Sequence, residues 1–469
     1  MNSNNKKLAT NIFLMFLVYF LPKVFSFFLV PIYTAYLSTE EYGISDLIIS
    51  TASLLSPFVA LATPSALLRY TIENKEDKRP YQISLRILTI GMSILLVGLI
   101  LVYLLLDIQI SYLLFVFLIV GTSLLSDIHV SYARGLEQMK LVTICGVGGS
   151  FVSIICNILF IAVLNWGLYG FLLASVAGYM FNVIVLMIAN RKQQLLKGLY
   201  SRQEPEFCKD MLGFSMPLIF SGLSWWVVSS SDRYFVTGMC GTAANGIYSV
   251  AYKIPTILQA LDNVFGQAWI FTLYDSYKTE DGKIYITKVY DVYNFLFCAA
   301  CSFLIIIDIY LSRLLYSNDF FEAWKYVPPL LLSIVFNSAS GLMARFLSVY
   351  KKTKIAMNIS IMAAMSNILL NWILIAIMHN PMGAAIATAI TFFISWCCNC
   401  MIGMKLSGVN ICWKKQLVMY LVLTIQSVLI ISTQNAFLAS AGLLGIIILN
   451  WNTIMWAKDK RKQLMRFKH

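Results

Sequence analysis

Runs of apolar residues about as long as a bilayer is thick recur from Leu8 to Ala457, with short polar or basic breaks between them. A hydrocarbon core ~30 Å thick takes roughly twenty apolar residues per crossing helix, and by that standard fourteen spans are predicted. The first runs from Leu8 to Leu37, the second from Ile44 to Leu68, the seventh from Met211 to Met239 and the eighth from Gly246 to Leu273. The last two cover Leu417 to Ile431 and Ala436 to Ala457. Twelve or thirteen stay open, because the thirteenth span is short and the joins at Asn165-Trp166 and Pro381 are tight. With 59% of residues apolar and 12% charged, no long stretch is polar enough to fold in water, so the expected class is an all-α integral membrane protein.

The net charge of +13 is informative through its placement. If the amino terminus is cytoplasmic, 30 of the 35 Lys and Arg residues fall in cytoplasmic segments, the bias that sets membrane orientation. Both termini are then expected on the cytoplasmic side. Such punctuation of apolar runs is unlike the clustered basic face of a nucleic-acid-binding domain. The first run continues past Pro31 with no small-residue cleavage site, so it is expected to stay in the protein. Most of the ten cysteines lie inside spans as small apolar residues; Cys397, Cys398 and Cys400 diverge around a helix and read as packing, not as a metal site.

An internal repeat organises the chain. Arg134-Gly-Leu-Glu-Gln-Met-Lys140, Asn157-Ile-Leu-Phe160 and Gly167-Leu-Tyr-Gly170 are echoed by Arg345 to Lys351, Asn367-Ile-Leu-Leu370 and Gly383-Ala-Ala. Phe20-Leu-Pro22 and Glu41-Tyr-Gly43-Ile are echoed by Ser215-Met-Pro217 and Ala244-Asn-Gly246-Ile. Two pseudo-symmetric six-helix bundles are therefore expected, residues 1–189 and 211–404. A basic cytoplasmic linker, 190–210, joins them, and residues 405–469 add two helices and a basic tail.

Polar residues inside spans cost roughly 2.5–3.5 kcal/mol at a helix centre on insertion scales, so each is a functional candidate. Lys23, Arg233 and Lys253 are the cations within spans. Asp46, Ser50, Ser53, Pro57 and Pro64 share one stripe of the second span; Ser224 and Ser229 to Arg233 make the outer part of the seventh polar. Lys253, Thr256, Gln259, Asn263 and Gln267 share a side of the eighth. One aqueous cavity between the halves would account for all four polar helices. The competing reading is structural: Lys23 with Asp46, or Lys253 with Asp232 or Asp262, as buried ion pairs. Asp262 points off its stripe and reads as structural; Asp127 and His129 read as snorkelling to the cytoplasmic interface, and Asp308 and His379 as outer-interface residues.

The opening segment, with Pro31, Leu37-Ser-Thr-Glu-Glu-Tyr-Gly43 and Arg69, resembles the Wzx-type polysaccharide flippases of the multidrug/oligosaccharidyl-lipid/polysaccharide exporter superfamily. Gly246-Ile-Tyr-Ser-Val-Ala-Tyr-Lys253-Ile-Pro255 and the two Asn-Ile-Leu segments extend the resemblance over most of the chain. It implies two bundles around a cavity that opens alternately to either side, in a bacterial cytoplasmic membrane. The implied substrate is an undecaprenyl-diphosphate-linked oligosaccharide for O-antigen, capsule or another surface polysaccharide. A polysaccharide polymerase and other assembly proteins are candidate partners beside the membrane lipids. Many relatives have twelve spans, which leaves the last pair here without an assigned role.

The polar residues fit that chemistry. A diphosphate in a low-dielectric interior needs fixed cations and donors, here Lys23, Arg233 and Lys253, with Asn263 and Gln267 suited to sugar hydroxyls. Trp225, Trp226 and Trp269 suit either sugar stacking or packing. Asp46 and Asp232 are candidate ion carriers; no cofactor is implied, and no phosphate-binding G-x-x-x-x-G-K-[ST] stretch occurs. The energy source stays open between an ion gradient, the membrane potential and the pull of polymerisation. A lipid II flippase, and a drug or metabolite exporter of the same superfamily, remain alternatives. A membrane polymerase or acyltransferase is disfavoured, since the only sizeable outer loop, Ser312 to Lys325, carries no histidine.

Overall fold

The computed structural model describes residues 17–18, 20–191, 205–276, 279–350, 352–456 and 458. Lys6, Lys7, the middle of the linker between Asn190 and Asp210, and most of the basic tail lie outside the described residues. The chain is a multi-pass membrane protein: among the described residues it is helical with no strand, and eleven helices are long and apolar enough to cross a bilayer. It divides into two compact units, Met1–Tyr234 and Phe235–His469.

The first unit holds α1 (Phe20–Tyr36), α2 (Thr39–Val59), α3 (Thr63–Glu73), α4 (Arg79–Leu105), α5 (Ile110–Gly135), α6 (Met139–Val163), α7 (Gly167–Ala189) and α8 (Pro205–Ser230); α9 (Asp232–Cys240) begins at its end. The second holds α10 (Thr242–Ala251), α11 (Pro255–Ser276), α12 (Glu280–Leu315), α13 (Val327–Val349), α14 (Thr353–Met378), α15 (Met382–Ser407), α16 (Trp413–Thr433) and α17 (Ala436–Leu449). The eleven long helices, the two shorter apolar ones α1 and α17, and the α10–α11 segment together are compatible with fourteen spans.

The polar turn that closes the first span starts α2 through a capping box. The Glu41 amide donates to Ser38 Oγ at 3.1 Å, and the Ser38 amide donates to Glu41 Oε2 at 2.9 Å, so two amides without helical partners are satisfied. The same Glu41 carboxylate lies over Gly167, whose φ of +51° and lack of a Cβ allow the close approach.

Three spans expected to be continuous are interrupted. The second breaks into α2 and α3 at Ala60–Ala62, where Leu61 (φ 47°) and Ala62 (φ 51°) take left-handed conformations. Pro57, inside α2, has no N–H for the Ser53 carbonyl, whereas Pro64 falls in the first turn of α3, where an N–H would be unsatisfied anyway. The seventh span is α8 and α9, parted at Ser231, and the eighth is α10 and α11, parted at Tyr252–Ile254 before Pro255. The second span of each predicted repeat is thus a broken helix. A further echo appears at Gly170 and Gly383, which press so closely on the backbone of Phe160 and of Leu374 that a Cβ would crowd it.

In the second unit the last two helices are fastened by amides. Gln426 on α16 donates through Nε2 to the carbonyls of Ser302 on α12 (3.1 Å) and Ala439 on α17 (3.0 Å). One end of α16 is joined to α12 by Gln416 with Asn294 and by the Tyr420 hydroxyl donating to Asn294 Oδ1 at 3.2 Å. Lipid tails offer no hydrophobic gain for helix association, so such bonds carry specificity.

Two residues expected at interfaces are interior. His129 is buried between the Tyr81 hydroxyl, 3.0 Å from Nε2, and the Leu125 carbonyl, 2.7 Å from Nδ1, because α5 turns it toward α4 and not toward headgroups. Asp308 is fully buried on α12, where it accepts from the Ser312 hydroxyl one turn on at 3.2 Å.

Candidate functional site

The polar cluster of the first unit assembles where α2 meets the α8–α9 junction. Asp46 is on the second turn of α2; Ser229 and Ser230 end α8, and Asp232, Arg233 and Tyr234 open α9. Arg233 Nε lies 2.7 Å from Asp46 Oδ2, with both side chains about one-sixth exposed (15% and 19%). Arg233 Nη1 donates to the Ser229 carbonyl at 3.1 Å, at the electronegative end of α8. The guanidinium is thereby held between a carboxylate and a helix C-terminus, partly desolvated yet still in reach of solvent.

The cluster extends along α2. Thr51 Oγ1 and the Tyr234 hydroxyl are 2.6 Å apart, and Trp226 Nε1 donates to the Ser50 carbonyl at 3.0 Å and to Ser53 Oγ at 3.1 Å. The Trp226 and Tyr234 rings pack at 5.6 Å between centroids. The period that places Asp46, Ser50 and Ser53 on one stripe therefore gives α8 and α9 a polar edge to bind.

Asp232 differs from Asp46. It is fully buried and accepts the Arg233 amide at 3.0 Å through Oδ1, the place where a helix N-terminus stabilises a negative charge. Asp46 is paired with Arg233, and Lys23 is exposed on α1. Of the seven candidates, then, the structure brings Asp46, Asp232 and Arg233 together.

Lys253 and Asn263 belong to the second unit. Lys253 is half-buried in the turn between α10 and α11, its carbonyl accepting from Thr256 Oγ1 at 2.7 Å. Asn263 is exposed on α11, and the side chain of Gln267 lies outside the described residues. Asp262 takes the Tyr293 hydroxyl at 2.5 Å, in keeping with a structural role. Trp269 is buried, its Nε1 donating to the Leu342 carbonyl at 3.3 Å, and so packs within the unit. Arg345 carries no sequence signal as a site residue, because it stands beside the basic Lys351-Lys352 break at the end of a span. It lies within α13, its guanidinium fills the space that a Cβ on Gly266 would need, and its Nη1 is buried without a hydrogen bond. Among the described residues no group of three or more His, Cys, Asp or Glu side chains is arranged to hold a metal ion.

The family model described as polysaccharide biosynthesis protein matches residues 8–273. No curated protein sequence matches the chain. Among solved structures, the lipid II flippase MurJ in an inward closed conformation superposes with a TM-score of 0.65 at 15% identity, over 96% of this chain and 98% of that one. An inward-facing multidrug resistance MATE family transporter of the MOP superfamily gives 0.66 at 14% identity, over 84% and 94%. A MATE protein in its straight conformation gives 0.59 at 15% identity, over 86% and 96%. The fold is thus of the MurJ and MATE kind.

Proposed function

The chain belongs to the polysaccharide biosynthesis protein family, and from that premise we propose that it is a flippase for polyprenyl-diphosphate-linked oligosaccharide repeat units. It would carry them from the cytoplasmic to the outer leaflet by alternating access, for O-antigen, capsule or another surface polysaccharide. The membrane would be the bacterial cytoplasmic membrane, with both termini cytoplasmic and the bundles 1–189 and 211–404 as the moving parts.

The observation that carries the proposal is the partly exposed Asp46–Arg233 pair. A guanidinium offers a planar fork that fits phosphate oxygens as well as it fits a carboxylate. The diphosphate displaces Asp46 from Arg233 on binding, and Asp46 recaptures Arg233 on release. An uncompensated diphosphate in an apolar interior is prohibitive, and an unpaired arginine is nearly so. The exchange keeps the guanidinium paired before, during and after occupancy. Lys23 and Lys253 supply further positive charge, Asn263 and Gln267 bind sugar hydroxyls, and Asp232 holds the N-terminus of α9 so that Arg233 keeps its place.

A second reading, a flippase for lipid II, is favoured by the MurJ likeness across nearly the whole chain. The two substrates share the diphosphate and the polyprenyl tail, so the Arg233 exchange serves both. Depleting the protein in its host separates them: undecorated cells with lipid-linked repeat units held on the inner leaflet support the first reading, and cell lysis with lipid II held there supports the second. Arg233→Gln should fail to rescue in either case.

A further inference from the structure

The break between α2 and α3 opens onto a cavity of about 430 Å³ within the first unit, and neither Asp46 nor Arg233 lines it. Its polar wall comes from Ser53 and Ser56 of α2, Ser65 of α3, Ser123 and Asp127 of α5, and Tyr179 of α7. Apolar side chains such as Ile49, Ile119 and Leu218 make up the rest. Asp127 is exposed and lies near enough to the Tyr179 phenol for the two to interact electrostatically. Among the described lining residues it is the one charged side chain.

This wall is rich in acceptors and poor in donors. Three of its four serines direct their protons into the backbone: Ser53 Oγ to the Ser50 carbonyl at 2.8 Å, Ser56 Oγ to the Ala52 carbonyl at 2.7 Å, and Ser123 Oγ to the Val120 carbonyl at 3.2 Å. What these hydroxyls have left is lone pairs. Pro57 also leaves the Ser53 carbonyl without its helical N–H. An ionised Asp127 only accepts, through two adjacent oxygens. A ligand suited to such a wall brings several donors of its own, together with an apolar surface for the isoleucines and Leu218.

We propose that this cavity is a saccharide site, which holds a sugar of the lipid-linked oligosaccharide by its ring hydroxyls. A pyranose carries neighbouring hydroxyls that can donate side by side to the two oxygens of Asp127, and its C–H face packs on apolar side chains or on the Tyr179 ring. The size agrees: small-molecule sites run from ~300 to 1,000 Å³, and a bare ion would leave most of this cavity unfilled. A diphosphate is excluded, because Asp127 repels it and no lysine or arginine lines the wall. Headgroup and sugar are therefore held by different residues, the one by Arg233 and the other around Asp127. Ser53 connects them, since it lines the cavity and also accepts from Trp226, whose ring packs on Tyr234 beside Arg233. Asp127 lies eight residues, about 12 Å, before the end of α5. In the orientation proposed above that end is cytoplasmic, the side on which repeat units are loaded.

The origin of the sugar rests on the flippase reading, whereas binding is measured with free sugars and needs neither carrier lipid nor transport. Purified full-length protein in lauryldimethylamine oxide, a detergent without a sugar headgroup, is mixed with N-acetylglucosamine, galactose or glucose and followed by saturation-transfer difference NMR. At least one of the three should receive transfer from the protein. Asp127→Asn keeps the shape and should weaken that binding about tenfold, as loss of hydrogen bonds to a charged group predicts, and Ser65→Trp should abolish it by filling the cavity. In wild-type protein the bound sugar should slow carbodiimide modification of Asp127 and leave that of exposed Asp107 unchanged, a result that no misfolded variant can obscure. Absence of transfer to all three sugars, or binding that survives both substitutions and leaves Asp127 unprotected, overturns the proposal. Sugar binding here by a protein that moves no lipid-linked oligosaccharide in proteoliposomes would remove the flippase reading alone.

Discussion

Asp46 Oδ2 and Arg233 Nε meet at 2.7 Å and join α2 to the junction of α8 and α9, two segments far apart in the chain. Removing either partner strands a partly buried charge, so Asp46→Asn or Arg233→Gln should each cost about 3 kcal/mol of stability. Exchanging the two, Asp46→Arg with Arg233→Asp, should restore much of that stability in a detergent melting experiment. Transport should not return, because the guanidinium has moved to α2. Recovery of transport in the exchanged protein would make the pair a purely structural one.

The break between α2 and α3 rests on two left-handed residues, neither of them glycine. A branched Cβ is badly tolerated in that conformation, so Ala62→Val should lose on the order of 1–2 kcal/mol, while Ala62→Gly should melt no lower than wild type. Equal tolerance of both would mean that the chain at Ala60–Ala62 is helical in the membrane.

Hydropathy made the spans legible, because twenty apolar residues in a row leave few alternatives to a crossing helix. The breaks were hidden for the same reason. Leu61 and Ala62 are as apolar as their neighbours, and a proline such as Pro57 signals a kink as readily as an interruption. Arg233, Lys253 and Asp46 stood out as charges within spans, but their partners could not be read, since the depth of a residue along a helix says nothing of the helix it faces. That limit sent His129 to the surface and passed over Arg345.

The appended pair α16 and α17 offers a separate test. Gln426 bonds to backbone on α12 and on α17 at once, so Gln426→Leu keeps the shape and removes both bonds. A loss of about 1–2 kcal/mol is expected, with earlier release of α16–α17 in a detergent titration followed by cross-linking to α12. A variant as resistant as wild type would show that packing alone retains the pair.

The account's central claim is that an anionic, lipid-borne diphosphate crosses the membrane by exchanging with Asp46 at Arg233. Movement of a defined oligosaccharide-diphosphate-polyprenol across proteoliposomes, set beside lipid II and a cationic dye, tests it most directly. Wild-type protein should move the lipid-linked oligosaccharide and not the dye, and Arg233→Gln protein of verified fold should lose at least about tenfold in rate, as removal of a charge-assisted phosphate contact predicts. Movement of the dye alone, or equal rates for the lipid with and without the Arg233 guanidinium, would contradict it.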